Sequence, residues 1–83
     1  MEQRKPRITQ EEELLALASE RVEIPQGKLE LEYQPDADIL AIRILPRLVA
    51  THSKGDMKNG LIFNYNDDKL VSIEILDLYG VFA

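Results

Sequence analysis

The sequence predicts an α+β fold, with an N-terminal α-helix followed by an antiparallel four-stranded β-meander with one apolar face. Three observations predict it. Leu14, Leu15, Leu17, Ala18 and Val22 recur at helical spacing. After Pro25-Gln26-Gly27 the apolar period changes from 3.6 to 2, as in half-buried strands. Short clusters rich in Asp, Asn, Gly and Pro then separate the alternating runs, as turns do.

The helix is placed at about 10–22. Thr9 suits the N-cap, and Glu12 stands three residues on, at capping-box spacing. Glu11, Glu12 and Glu13 oppose the positive end of the helix dipole, and Arg21 suits the negative end. Ile24-Pro25 ends the helix, because proline disfavours helical geometry in the residue before it.

The first strand follows at 28–33, where Leu29, Leu31 and Tyr33 alternate with Lys28, Glu30 and Glu32. Gln34-Pro35-Asp36-Ala37-Asp38 is a turn. The second strand covers 39–45, with Leu40, Ile42 and Ile44 on one side, and Pro46 weakens its end. In 47–59, Leu48-Val49-Ala50-Thr51 reads either as a short strand or as a continuation past Pro46. His52-Ser53-Lys54-Gly55-Asp56 reads as a polar loop, and Asn59-Gly60 as a turn. The third strand spans 61–65, with Leu61, Phe63 and Tyr65 alternating against Ile62 and Asn64. Asn66-Asp67-Asp68-Lys69 is a hairpin turn. The fourth strand spans 70–76, with Val71, Ile73 and Ile75 on one side and Ser72 and Glu74 on the other. In the simplest connection these strands form a meander, because short links join neighbours. Glu30, Glu32, Arg43, Asn64, Ser72 and Glu74 then share the polar face.

The chain has 83 residues, so it is organised as a basic tail, 1–7, flexible by expectation, and a single small domain, 8–83. A domain of this size buries about two thirds of its unfolded surface, which makes a thin core. Fifteen acidic residues outnumber ten basic ones. That balance opposes a sequence-independent grip on phosphate backbones, leaving only Arg4, Lys5 and Arg7 to favour nucleic acid. The absence of cysteine excludes a disulfide scaffold, a Cys-ligated zinc and a Cys nucleophile. No apolar run approaches the roughly 20 residues that span a bilayer, and no secretory h-region is visible, so the cytoplasm is the expected compartment.

The inventory also weighs against an enzyme. Ser53 adjoins the one histidine, His52, but adjacency does not aim one side chain at the other. No phosphate loop, metal-ligand helix motif or nucleotide fingerprint is present, and no cofactor is called for.

Two surfaces are candidates for function. One is the closing apolar segment, with Leu78, Tyr79, Val81 and Phe82 as interface residues. A single helix is narrow for four strands, and uncovered apolar surface seldom stays exposed. The protein is therefore expected to be a homo-oligomer, such as a homodimer, or to bind a partner protein. Alternatively, the closing segment folds back over the sheet edge and completes the core. The other surface is an acidic rim. In a meander the first and third turns share one end, which brings Asp36 and Asp38 near Asp67 and Asp68. Such a rim would offer oxygen ligands to Ca²⁺ or Mg²⁺, or bind a small ligand. Against it stands the ordinary use of Asp as turn chemistry.

From Leu29 onward the sequence resembles DUF2283, a family of small prokaryotic domains of unknown function. Tyr33-Gln34-Pro35-Asp36-Ala37-Asp38-Ile39-Leu40-Ala41-Ile42 is similar to its Tyr-Asp-Pro-x-x-Asp-x-Leu-Tyr-Ile signature. Gly60-Leu61-Ile62-Phe63-Asn64-Tyr65-Asn66 and Ile73-Glu74-Ile75-Leu76-Asp77 are similar to its later blocks, and the likeness covers about 29–77. Gln34, Asn64 and Asn66 stand where the family commonly has Asp, Ala41 where it has Tyr, and Ser72 where it has Gly. The resemblance implies a compact β-sheet domain of undetermined activity. Since members are sometimes encoded beside toxin-like proteins, it also implies an antitoxin-like or partner-binding role.

Overall fold

The computed structural model describes residues 10–80. Within them, α1 (Gln10–Ser19) precedes β1 (Glu30–Gln34), β2 (Ile39–Arg43), β3 (His52–Asp56), β4 (Leu61–Asn66) and β5 (Lys69–Ile75). The expected tail at 1–7 and the Thr9 cap lie outside the described residues.

The α+β class and the antiparallel pairing are as expected, but the sheet has five strands, in the order β1-β2-β5-β4-β3. Two parts of the sequence reading are corrected. His52-Ser53-Lys54-Gly55-Asp56 is a strand, not a loop. It escaped notice because it carries no apolar alternation. It lies at the sheet's margin, where among the described residues no strand pairs with its outer side. The sheet is also not a simple meander. The connection at 44–51 carries the chain past the place beside β2 to the far edge, and β5 returns to fill that place. Val71, Ile73 and Ile75 of β5 are all buried, which suits a central position.

Register places apolar residues in rows on one face. Leu31, Ile42, Ile73 and Phe63 form one row, and Tyr33, Leu40, Ile75 and Leu61 the next. The helix lays Leu14 and Ala18 on this face, and the buried cluster also takes in Leu78. The helical pattern was expected to reach residue 22. The regular helix ends at Ser19, and turn bonds from the Arg21 and Val22 N–H groups to the Ala18 carbonyl continue it.

The other face carries the row Glu30, Arg43, Ser72, Asn64 and Ser53, as the alternation predicts for all but Ser53. Arg43 Nη2 meets Glu32 Oε1 at 3.0 Å, with both side chains about half exposed. Asn64 Nδ2 donates to Ser72 Oγ at 3.0 Å and to Glu74 Oε2 at 3.1 Å, while Ser53 Oγ donates to Asn64 Oδ1 at 2.5 Å. Exposed pairs like Arg43–Glu32 contribute about 0–1 kcal/mol each, so this network aligns strands more than it stabilises them.

Candidate functional site

The turn between β1 and β2 ends on Asp38, whose backbone has φ 57°. Asp tolerates this left-handed conformation better than most residues. The turn directs the Asp38 side chain inward, where it has no accessible surface. A buried carboxylate must be compensated by donors, and among the described residues these include donors from two places. Tyr33 Oη donates to Asp38 Oδ1 at 2.6 Å. The Tyr79 N–H donates to both carboxylate oxygens, at 3.0 and 3.1 Å, and the Gly80 N–H donates to Oδ2 at 3.0 Å. The Leu78 N–H donates to the Asp38 backbone carbonyl at 3.0 Å. The phenol of Tyr33 is pushed up to about 12, first by its hydrogen bond to Asp38, then by removal from water and the negative charge beside it. Tyr79, edge-on to Tyr33 with centroids 5.6 Å apart, is also raised. There removal from water acts first, followed by the charge and hydrogen bond of Glu13.

Arg21 holds the other side of the same segment. Its Nη1 donates to the Leu76 carbonyl at 2.5 Å, and its Nη2 donates to the carbonyls of Asp77 and, at 3.5 Å, Leu78. One guanidinium thus takes the carbonyls of residues 76–78, and one carboxylate takes the N–H groups of 79 and 80. Gly60 lets the arginine approach, since a Cβ there would lie 3.2 Å from Nη1, and its φ of 67° favours glycine. The sequence reading assigned Arg21 only to the helix dipole. Nothing in the local pattern points to carbonyls 55 to 57 residues away.

These contacts decide where the expected site residues go. Leu78, expected at an interface, is a core residue with 5% exposure. At Leu78 the chain packs into the core cluster. Tyr79 keeps 41% exposure. Val81 and Phe82 lie outside the described residues.

The acidic rim is not assembled. Leu40 pairs with Ile75 and Arg43 with Ser72, so the turn holding Asp36 and Asp38 is at one end of the sheet and the turn holding Asp67 and Asp68 is at the other. The expected clustering required the meander order, in which β2 would lie beside β4. Among the described residues no three His, Asp or Glu side chains are grouped to hold a metal ion. Asp36 is exposed in its turn. Asp67 and Asp68 instead line a 340 Å³ surface groove with His52, Lys54 and Tyr65. There His52 stacks on Tyr65, centroids 5.4 Å apart, and Lys54 Nζ stands 6.0 Å from the Tyr65 ring centre.

His52 and Ser53 do not form a nucleophile and base. Strand alternation puts them on opposite faces, and Ser53 Oγ is committed to Asn64.

Besides Tyr79, exposed large apolar residues among the described residues lie in a second place. Leu45, Leu48, Val49 and Met57 are exposed, Val49 to 79% and Met57 to 69%. Leu45 and Leu48 flank Pro46 and Arg47 around an apolar depression of 260 Å³. All four belong to the stretch from the end of β2 through the turn after β3. The apolar residues in 45–49 are plain in the sequence, but their exposure depends on the connection passing outside the sheet.

Among the described residues no helix is long and apolar enough to cross a membrane. A family model described as a protein of unknown function (DUF2283) matches residues 30–78, and the chain belongs to this family. No curated protein and no solved structure matches it. The match takes in Tyr33, Asp38 and Leu78 but stops short of the Tyr79 and Gly80 N–H donors and does not reach Arg21.

Proposed function

We propose that this member of the DUF2283 family is a protein-interaction module that associates with a second copy of itself through the β3 side of its sheet. One observation carries the reading: among the described residues, four of the five exposed large apolar residues lie in the stretch 45–57, and the fifth is Tyr79, whereas Leu78 is in the core. A folded chain seldom leaves adjacent apolar side chains in water unless another surface covers them. The thin core of a chain this short favours the same conclusion. An antitoxin-like role, implied by the family resemblance, would be the case in which a different protein covers the same residues.

Light scattering across a concentration series tests the reading. A dimer that dissociates on dilution is expected. A monomer at the highest soluble concentration would end it.

A further inference from the structure

We infer that β3 pairs antiparallel with β3 of a second copy about a two-fold axis at Gly55, joining two sheets into one; this rests on the self-association proposed above. Among the described residues β1 and β3 are the sheet's outer strands. Each presents a row of backbone N–H and C=O groups that another strand can take. Their side chains treat a second copy differently. Glu30 and Glu32 share one face of β1 and are both exposed. Antiparallel self-pairing about Leu31 would set each against the other's like charge, which destabilises a cross-strand pair. β1 is thus guarded by its own charge.

β3 is self-complementary instead. A two-fold axis perpendicular to a continuous sheet keeps each face on its own side. Cross-strand partners must share a face, so the axis passes through a residue and not between two. Three centres are available. An axis at Lys54 sets two lysines face to face. An axis at Ser53 sets His52 against Lys54 and leaves Asp56 outside the paired residues. An axis at Gly55 sets Lys54 of each copy against Asp56 of the other, giving two opposite-charge pairs.

The opposite face adds a second observation. Met57 is 69% exposed, and its Sδ lies 3.6 Å from where a Cβ on Gly55 would stand. An axis at Gly55 brings the Met57 side chains of both copies toward each other over a backbone with no side chain between them. Ile62, paired with Gly55, flanks them. An exposed methionine and a strand glycine are thereby explained by one contact.

The chain has no cysteine, so a single introduced one reports cleanly. Gly55→Cys puts the new Cβ in open or ordinary van der Waals surroundings. Facing residues at such an axis have Cα atoms about 4.5–5.5 Å apart, within the span of a disulfide. Under mild oxidation Gly55→Cys is expected to form a covalent dimer, while Glu32→Cys on β1 stays monomeric on a non-reducing gel. Lys54→Glu is expected to raise the dimer dissociation constant about tenfold, and Lys54→Asp combined with Asp56→Lys is expected to restore it. A wild-type dimer that neither cross-links at Gly55 nor responds to Lys54→Glu overturns this geometry and leaves self-association standing. A monomeric wild-type chain overturns both.

Discussion

Two hairpin turns of this protein are built from the same chemistry and used in different ways. The β1–β2 turn ends on Asp38 and the β4–β5 turn begins on Asp67, and both residues take left-handed backbone, with φ of 57° and 54°. Asp38 is fully buried and Asp67 is exposed. Asp38 faces Tyr33 and the backbone of 79–80. Asp67 fixes its turn through its own backbone, whose N–H donates to Thr51 Oγ1 at 3.2 Å, and its side chain lines an open groove. Local turn preference accounts for aspartate at both places. Only the tertiary position decides whether the carboxylate becomes an anchor.

Asp38→Ala should break the comparison most severely. It removes the acceptor for Tyr33 and two backbone N–H groups in a site without water access, and it puts a left-handed backbone on alanine. A loss of about 3 kcal/mol or more is expected by urea denaturation. Asp38→Asn should lose less, because asparagine keeps one acceptor oxygen and tolerates the same φ. Arg21→Ala comes next. The carbonyls of 76–78 then turn to water, at a cost of about 1.5 kcal/mol. Hydrogen exchange should show faster exchange at residues 76–80 in both Ala variants.

The contrast also marks what was legible in the sequence. The helix and the four apolar strands follow from their periods, because burial on one face imposes a repeat. β3 does not, since an outer strand of His, Ser, Lys, Gly and Asp needs no apolar side. The strand order does not either. β2 and β5 are separated by 25 residues of chain, and nothing local specifies their pairing. That one misreading produced the acidic rim, by placing the two Asp turns at the same end. The anchoring role of Asp38 had a faint signal in Tyr33 five residues earlier. The Tyr79 and Gly80 donors are backbone N–H groups, which every sequence supplies.

A subtler way to sharpen the contrast is pH. Tyr33 has an ordinary pKa of 10.0 and is held near 12 in the fold. The folded chain therefore keeps a proton that the unfolded chain releases. The stabilisation is intact below pH 10 and fades as pH rises through about 12. The raised pKa of Tyr79 acts in the same direction. Tyr33→Phe should cost less than Arg21→Ala at neutral pH and should flatten the alkaline decline. An unchanged slope in that variant would assign the decline to other groups.

The smallest effect belongs to Asp67. Asp67→Gly removes a side chain that faces solvent and supplies a residue that adopts φ 54° readily. The Asp67 N–H remains to donate to Thr51, so the hairpin keeps its tie to the residue before β3. Stability should move by no more than about 0.5 kcal/mol. Asp38→Gly accepts the same backbone angle but strips the same carboxylate from a buried site. The two glycine variants thus hold turn geometry constant and vary only tertiary context. If both proved equally mild, the closing clamp would contribute little and backbone conformation alone would explain both aspartates. A gap of about 2 kcal/mol or more between them assigns the difference to the donors gathered around Asp38.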